Sequence, residues 1–167
     1  MTIFHRAIPS PVGPLRIAAS DAGLHGIEFP GNRHPVKQPT PWEAGDHPLL
    51  HETQAQLDAY FGGRLKVFHL PLAPRGTAFQ EQVWMMLAAI PYGRTWSYRE
   101  LANALGKPTA TRAVGAANGR NPLPIVLPCH RVIGANGDLT GFGGGLPTKH
   151  FLLRLEDALP AARASAR

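Results

Sequence analysis

Two proline-rich stretches limit what this chain can fold into, because proline has no amide hydrogen to give to a helix or an interior strand. Pro30, Pro35, Pro39, Pro41 and Pro48 mark the first as a loop, and Pro71 to Gly76 adds two more prolines and a glycine. Regular structure is confined to the segments between them. Ahead of the first break, Leu15 to Ala19 alternates apolar and polar residues, Asp21-Ala22-Gly23 supplies a turn, and Leu24 to Phe29 resumes in strand fashion, which predicts a hairpin. From Leu49 onward, Leu50, Thr53, Leu57, Tyr60 and Phe61 share one helical face, and Gly62-Gly63 offers a left-handed stop. Val67 to Leu70 reads as a short strand. Pro71 to Gly76 is then a linker, separating an α/β N-terminal domain, residues 1–76, from a second domain, residues 77–167.

Beyond the linker the pattern turns helical. Thr77-Ala78-Phe79-Gln80 is a capping box leading into Phe79, Val83, Met86, Leu87 and Ile90 at helical spacing, ended by Pro91-Tyr92-Gly93. Ser97-Tyr98-Arg99-Glu100 is a second capping box, opening a short helix that stops at Gly106-Lys107-Pro108; a third helix follows from about Ala110 to Asn118. Two short helices joined by a tight glycine-containing turn have the outline of a helix-turn-helix, although such pairs also occur in domains that never meet DNA. Ile125-Val126-Leu127 is apolar throughout and delivers Pro128-Cys129-His130 where core meets surface. Asn136-Gly137 and Gly143-Gly144-Gly145 predict a hairpin and a mobile loop, Leu146 to Ala158 a closing helix, and the residues from Pro160 a frayed tail.

Charge is unevenly placed. Residues 1–78 hold seven Lys/Arg against six Asp/Glu, residues 79–167 ten against five, and Arg94 to Arg131 six basic residues against the single acid Glu100. A solvated basic surface would look the same, but a positive field concentrated over a candidate helix-turn-helix makes nucleic acid the sharper reading. No signal-peptide stretch follows the first basic residues, and nowhere do about 18 apolar residues run on. A globular cytoplasmic protein is expected.

The chain has one cysteine, which excludes an internal disulfide and the usual multi-cysteine zinc site; the eight histidines show no paired metal-ligand spacing. Neither a metal nor another cofactor is expected. A lone cysteine among apolar residues is most often a small buried hydrophobe. Here three neighbours argue for reactivity: His130 can serve as the base that generates thiolate, Arg131 and the surrounding charge favour the anion, and Pro128 with the buried run before it holds the backbone still. Glu156 is a candidate to orient the imidazole, and an ordinary helix glutamate is its plain alternative.

Three blocks carry a resemblance. Ile90-Pro91-Tyr92-Gly93 to Ser97-Tyr98, Arg112 to Pro122, and Pro128-Cys129-His130-Arg131-Val132-Ile133-Gly134 together resemble the O6-alkylguanine-DNA alkyltransferases. The match covers nearly all of Thr77 to Glu156, in order. The resemblance implies an α+β protein: a small N-terminal α/β domain, ribonuclease H-like, before a mostly helical C-terminal domain with a winged-helix-like helix-turn-helix. It implies direct DNA repair, in which Cys129 takes the alkyl group of O6-alkylguanine, or of O4-alkylthymine, irreversibly. His130 would deprotonate Cys129 through a water, Glu156 on the last helix would support His130, and Asn121 would help order the site. The partner implied is double-stranded DNA, entered from the minor groove with the damaged base flipped out and with no obligate protein partner. Arg112 would fill the gap in the stack, Tyr98 would turn the nucleotide, and Arg99 and Lys107 would hold phosphates.

Departures from the family pattern also matter. Some relatives have a tyrosine and a hydroxyl residue where this chain has Phe142 and Gly143, which leaves the backbone N–H groups of Gly143 and Gly144 to receive the leaving oxygen and suggests room for bulkier alkyl groups. An alkyltransferase-like protein that binds the lesion without transfer is the nearest competitor, and Cys129 argues against it. A multiple-turnover cysteine hydrolase and a sequence-reading transcription factor each leave one half of the pattern unused.

Overall fold

The computed structural model describes residues 1–167 apart from 33, 34, 37, 39, 140, 141 and 160–167. The expected hairpin is present as β2 (Leu15–Ser20) and β3 (Gly23–Glu28), paired antiparallel. Gly23 turns between them at φ +137°, and a Cβ there would stand 2.9 Å from the Pro71 carbonyl oxygen, so both the turn and the close approach require glycine. β1 (Phe4–Ile8) adds antiparallel to β2, and β4 (Glu43–Ala44), inside the proline-rich stretch read as loop, adds parallel to β1. The sheet order is β3-β2-β1-β4.

Helix α1 (Pro48–Phe61) covers the sheet through buried Leu50, Thr53, Leu57 and Tyr60, the face that the sequence spacing marks. His47 caps it by accepting from the Leu49 amide. The strand expected at Val67 to Leu70 does not form: Val67 is exposed, and the segment turns irregularly before Leu72 makes a single parallel bridge to Leu24. The stretch read as a linker is thus bonded to the sheet, with the Leu24 amide donating to Pro71 O at 2.9 Å and the Ala73 amide to Leu24 O at 2.8 Å. Further along, the Ile27 amide donates to Pro122 O at 2.9 Å. These contacts cover the outer edge of β3 and bury all six of its residues.

Both capping boxes form, opening α2 (Ala78–Met86) at Thr77 and α3 (Tyr98–Ala104) at Ser97. A single 3-10 turn, Leu87–Ala89, extends α2. After α3 the chain turns at Gly106, φ +71°, into α4 (Thr111–Asn118). The Trp84 indole N–H donates to Ala117 O at 2.7 Å and ties α2 to α4. Instead of the hairpin expected after the cysteine, β6 (Val132–Ile133) pairs in parallel with β5 (Trp96–Ser97), while Gly134 to Asp138 forms a closed turn. Helix α5 (Leu146–Leu155) ends three residues before the expected Ala158, because Glu156 caps it and Asp157 turns left-handed at φ +54°. The tail expected to fray lies outside the described residues.

The two halves share one core. Leu24, Leu57 and Tyr60 from the first belong to the same buried cluster as Val83, Leu101, Val114, Leu127 and Leu152 from the second. Among the described residues, no helix is long and apolar enough to cross a membrane.

Candidate active site

The segment from α4 to Cys129 is built to hold one residue in place. The Asn121 amide group donates to Leu127 O at 2.7 Å and its oxygen accepts from the Leu123 amide at 3.0 Å, while the Leu127 amide reaches Leu123 O at 2.9 Å. Inside that loop Ile125 lies at φ +75° with its side chain buried. A β-branched residue there costs on the order of 1–3 kcal/mol, which the surrounding bonds offset. Pro128, at φ −78° and ψ 69°, is the centre of an inverse γ-turn whose Cys129 amide donates to Leu127 O at 2.7 Å. Cys129 then begins a 3-10 turn through Arg131. Proline and the buried run do hold the backbone, as expected.

Cys129 is 5 % exposed and forms one side of a crevice. Asn118, Asn121 and Cys129 line it from the α4 side, Phe142, Gly143 and Gly144 from the loop before α5, and Phe29 and Asn32 from beyond the end of β3. Burial pushes the thiol up to about 11, against the pull of the Asn121 side chain and the Lys149 ammonium. The resting sulfur is a thiol, so reaction requires a base.

The candidate base, His130, has partners in place. His130 is fully buried, and its Nε2 lies 2.8 Å from Glu156 Oε2. Burial would raise Glu156, but bonds from His130 and Arg131 outweigh it and hold the carboxyl down at about 2. An ionised carboxylate only accepts, so Nε2 carries the proton and Nδ1 is the basic nitrogen of the neutral ring. Burial, opposed by Glu156, lowers the imidazole and keeps it neutral at pH 7. His130 Nδ1 is buried without a hydrogen-bond partner among the described residues.

Arg131 does not do what sequence reasoning expects. Its Nε donates to Glu156 Oε1 at 2.8 Å, Nη2 to Oε2 at 3.1 Å and Nη1 to Ile90 O at 2.7 Å, so its charge is committed to the carboxylate rather than to the thiol. The cation whose field reaches Cys129 is Lys149, fully buried, its Nζ donating to Val132 O at 2.7 Å and burial bringing it down to about 8. The fourth donor to Glu156 is the Tyr60 hydroxyl, 2.5 Å from Oε2, reaching across from α1. Asn118 joins the site as well, its amide donating to Cys129 O at 3.4 Å.

The structure therefore brings Cys129, Asn121, Gly143 and Gly144 to one crevice and His130 and Glu156 to one buried network beside it. Tyr98, Arg99, Lys107 and Arg112 are not among the residues lining that crevice. Tyr98 begins α3 with its ring over Gly115 of α4, where a Cβ would lie 3.5 Å from it. Arg99, Lys107 and Arg112 are exposed on α3, on the turn after it and at the start of α4. Among the described residues no group of three or more His, Cys, Asp or Glu side chains gathers to hold a metal.

Lys149, Tyr60, Asn118, Phe29 and Asn32 were not singled out from sequence. Lys149 and Glu156 had a legible signal, since Lys149, Leu152, Leu153 and Glu156 follow the spacing of a buried helical face. The others come together only through long-range packing.

Comparison with known proteins agrees across the chain. Residues 3–74 match the family model for the 6-O-methylguanine DNA methyltransferase ribonuclease-like domain, and residues 78–158 that for the DNA binding domain of the same family. A methylated-DNA–protein-cysteine methyltransferase from Methanosarcina barkeri is 46% identical over 155 residues, 93% of this chain and 98% of the relative. One from Mycobacterium bovis is 47% identical over 154 residues, 92% of each. The crystal structure of Mycobacterium tuberculosis OGT in complex with DNA superposes with a TM-score of 0.85 at 44% identity, covering 98% of this chain and 99% of that one.

Proposed function

The chain belongs to the methylated-DNA–protein-cysteine methyltransferase family and repairs DNA by alkyl transfer, and from that premise we propose that Cys129 is the acceptor, consumed in a single irreversible turnover. One observation carries this reading: the chain's single thiol sits in a crevice beside a histidine whose outer nitrogen is bonded to an ionised, buried glutamate. In the proposed step His130 Nδ1 takes the thiol proton through a water. The sulfur attacks the alkyl carbon in line, the carbon–oxygen bond breaks, and its electron pair leaves on guanine O6. The proton returns to the purine as the sulfur–carbon bond completes. Gly143 and Gly144 offer backbone N–H groups to the departing oxygen. Asn121 and the Lys149 charge favour the anion that forms at sulfur.

The DNA partner follows from the family; its mode of engagement is part of the proposal. Helices α3 and α4 act as a helix-turn-helix in the minor groove, supported by their exposed Arg99, Lys107 and Arg112. Arg112 fills the stack, and Tyr98 turns O6-alkylguanine, or O4-alkylthymine, out of the duplex at a cost of a few kcal/mol. The domain boundary proposed is 1–76 and 77–167, in keeping with the separate family matches. The protein acts as a cytoplasmic monomer, where its thiol stays reduced.

Mixing the full chain with a duplex carrying O6-methylguanine tests the reading. A gain of one methyl on the peptide containing Cys129, stopping at one equivalent, is expected; Cys129→Ser should abolish it while sparing DNA binding. Multiple turnover, or tight binding without mass gain, would overturn it.

A further inference from the structure

Two consecutive glycines in a loop leave space that something must fill. Gly143 and Gly144 stand beside the crevice that holds Cys129, and both gaps are filled from the N-terminal half. A Cβ on Gly143 would stand 2.8 Å from Asn32 Oδ1. One on Gly144 would stand 2.7 Å from Phe29 Cδ2 and 3.0 Å from Phe142 Cε2. The rings of Phe29 and Phe142 meet with centroids 5.5 Å apart and planes tilted by 58°, both buried. Nor is this wall loosely placed, because Phe29 follows β3, and the Ile27–Pro122 bond ties that strand to the segment carrying the thiol.

We propose that Phe29, with Asn32 behind the glycine loop, is the wall that sets the size of alkyl group Cys129 can accept. The inference rests on Cys129 being the acceptor. It gives the N-terminal half a part in choosing the substrate: methyl is admitted and a benzyl ring is penalised. The crevice measures about 350 Å³ including its open mouth, and its interior has room for little more than one water molecule. A methyl group is of that size. A benzyl ring requires Phe29 or Phe142 to turn aside from close-packed neighbours. Small side chains in the loop therefore do not by themselves open the site to bulky groups, since Phe29 and Asn32 occupy the space they leave.

Single-turnover rate constants of the full chain on duplexes carrying O6-methylguanine and O6-benzylguanine decide the matter. For Phe29→Ala the benzyl-to-methyl rate ratio should rise by roughly tenfold or more, and for Phe29→Leu by a smaller factor. Taking the ratio cancels any loss of active protein, and Phe29→Leu, which keeps most of the buried volume, decides if Phe29→Ala does not fold. A ratio unchanged from wild type overturns the proposal. Wild-type protein that gains no mass from the methylated duplex would instead overturn the assignment of Cys129, and this inference with it.

Discussion

Replacing Tyr60 with phenylalanine removes one oxygen from the interior and leaves the ring, so it isolates the bond that α1 makes to Glu156. Tyr60 is fully buried, its hydroxyl donates at 2.5 Å, and the acceptor is an ionised carboxylate that is itself buried. A hydrogen bond to a charged group is worth about 1.5–3 kcal/mol. Glu156 Oε2 keeps His130 and Arg131 as donors, so no charge is stranded and a loss of about 2 kcal/mol is expected. For a chain of this size that is a fall in Tm of roughly 4–8 °C. Urea unfolding followed by tryptophan fluorescence gives the free energy directly. Glu156→Gln should cost about 3–5 kcal/mol, because it leaves the Arg131 guanidinium buried without its counter-charge. In that background Tyr60→Phe should cost only about 0.5–1.5 kcal/mol, since the acceptor is now neutral. Equal losses in the two backgrounds, or a loss below about 0.5 kcal/mol in the wild type, would show that the phenol is not bonded to the carboxylate.

Two further perturbations probe the same region. Glu156 is depressed from the usual 4.5 to about 2 and His130 is lowered from 6.5, so on acidification the unfolded chain takes up protons before the folded one does at both groups. Their stabilisation is complete above pH 6.5, declines as His130 is drawn to protonate, and falls again from pH 4.5 to 2, where Glu156 alone accounts for about 3 kcal/mol. Urea midpoints that do not move between pH 7 and pH 3 would refute this, and Glu156→Gln should flatten the lower limb. Lys149→Met removes a cation that offsets the burial of Cys129; alkylation of the thiol by iodoacetamide at pH 7, where Lys149 is charged, should slow, because less of the sulfur is then thiolate. An unchanged rate in a variant that still folds would exclude Lys149 from activating the thiol.

How far the sequence reveals this molecule depends on the range of the interactions involved. The capping boxes at Thr77 and Ser97 and the α1 face of Leu50, Leu57 and Tyr60 were readable because each is set within a few residues. β1 escaped because Phe4, His5 and Arg6 are all only half-buried, which blurs the alternation that marks a strand. β5 and β6 are two residues each and exist only through pairing with one another. At the site, Cys129 and His130 are adjacent and are singled out by their own neighbourhood, whereas Asn121 is named only through the family resemblance. Arg131 was misread, since adjacency to a thiol says nothing of which side chain a guanidinium meets; Glu156, twenty-five positions on, takes it. Phe29 and Asn32 carried no local signal at all. Long-range contacts, among them the tie between β3 and Pro122 and the packing of Phe29 on Phe142, bring them to the crevice.

The distance along the chain between Cys129 and its helpers has a consequence during synthesis. The thiol is joined to the growing chain before Lys149 and Glu156, and until both have been added and folded into place His130 has no carboxylate to fix its tautomer and the sulfur has no buried cation nearby. The nascent polypeptide thus carries its proposed nucleophile unarmed. Arming waits until α5 docks, which also buries the carboxylate against Tyr60. On the proposed single-turnover reading, a reagent that can be spent only once is kept from use until the molecule around it is finished.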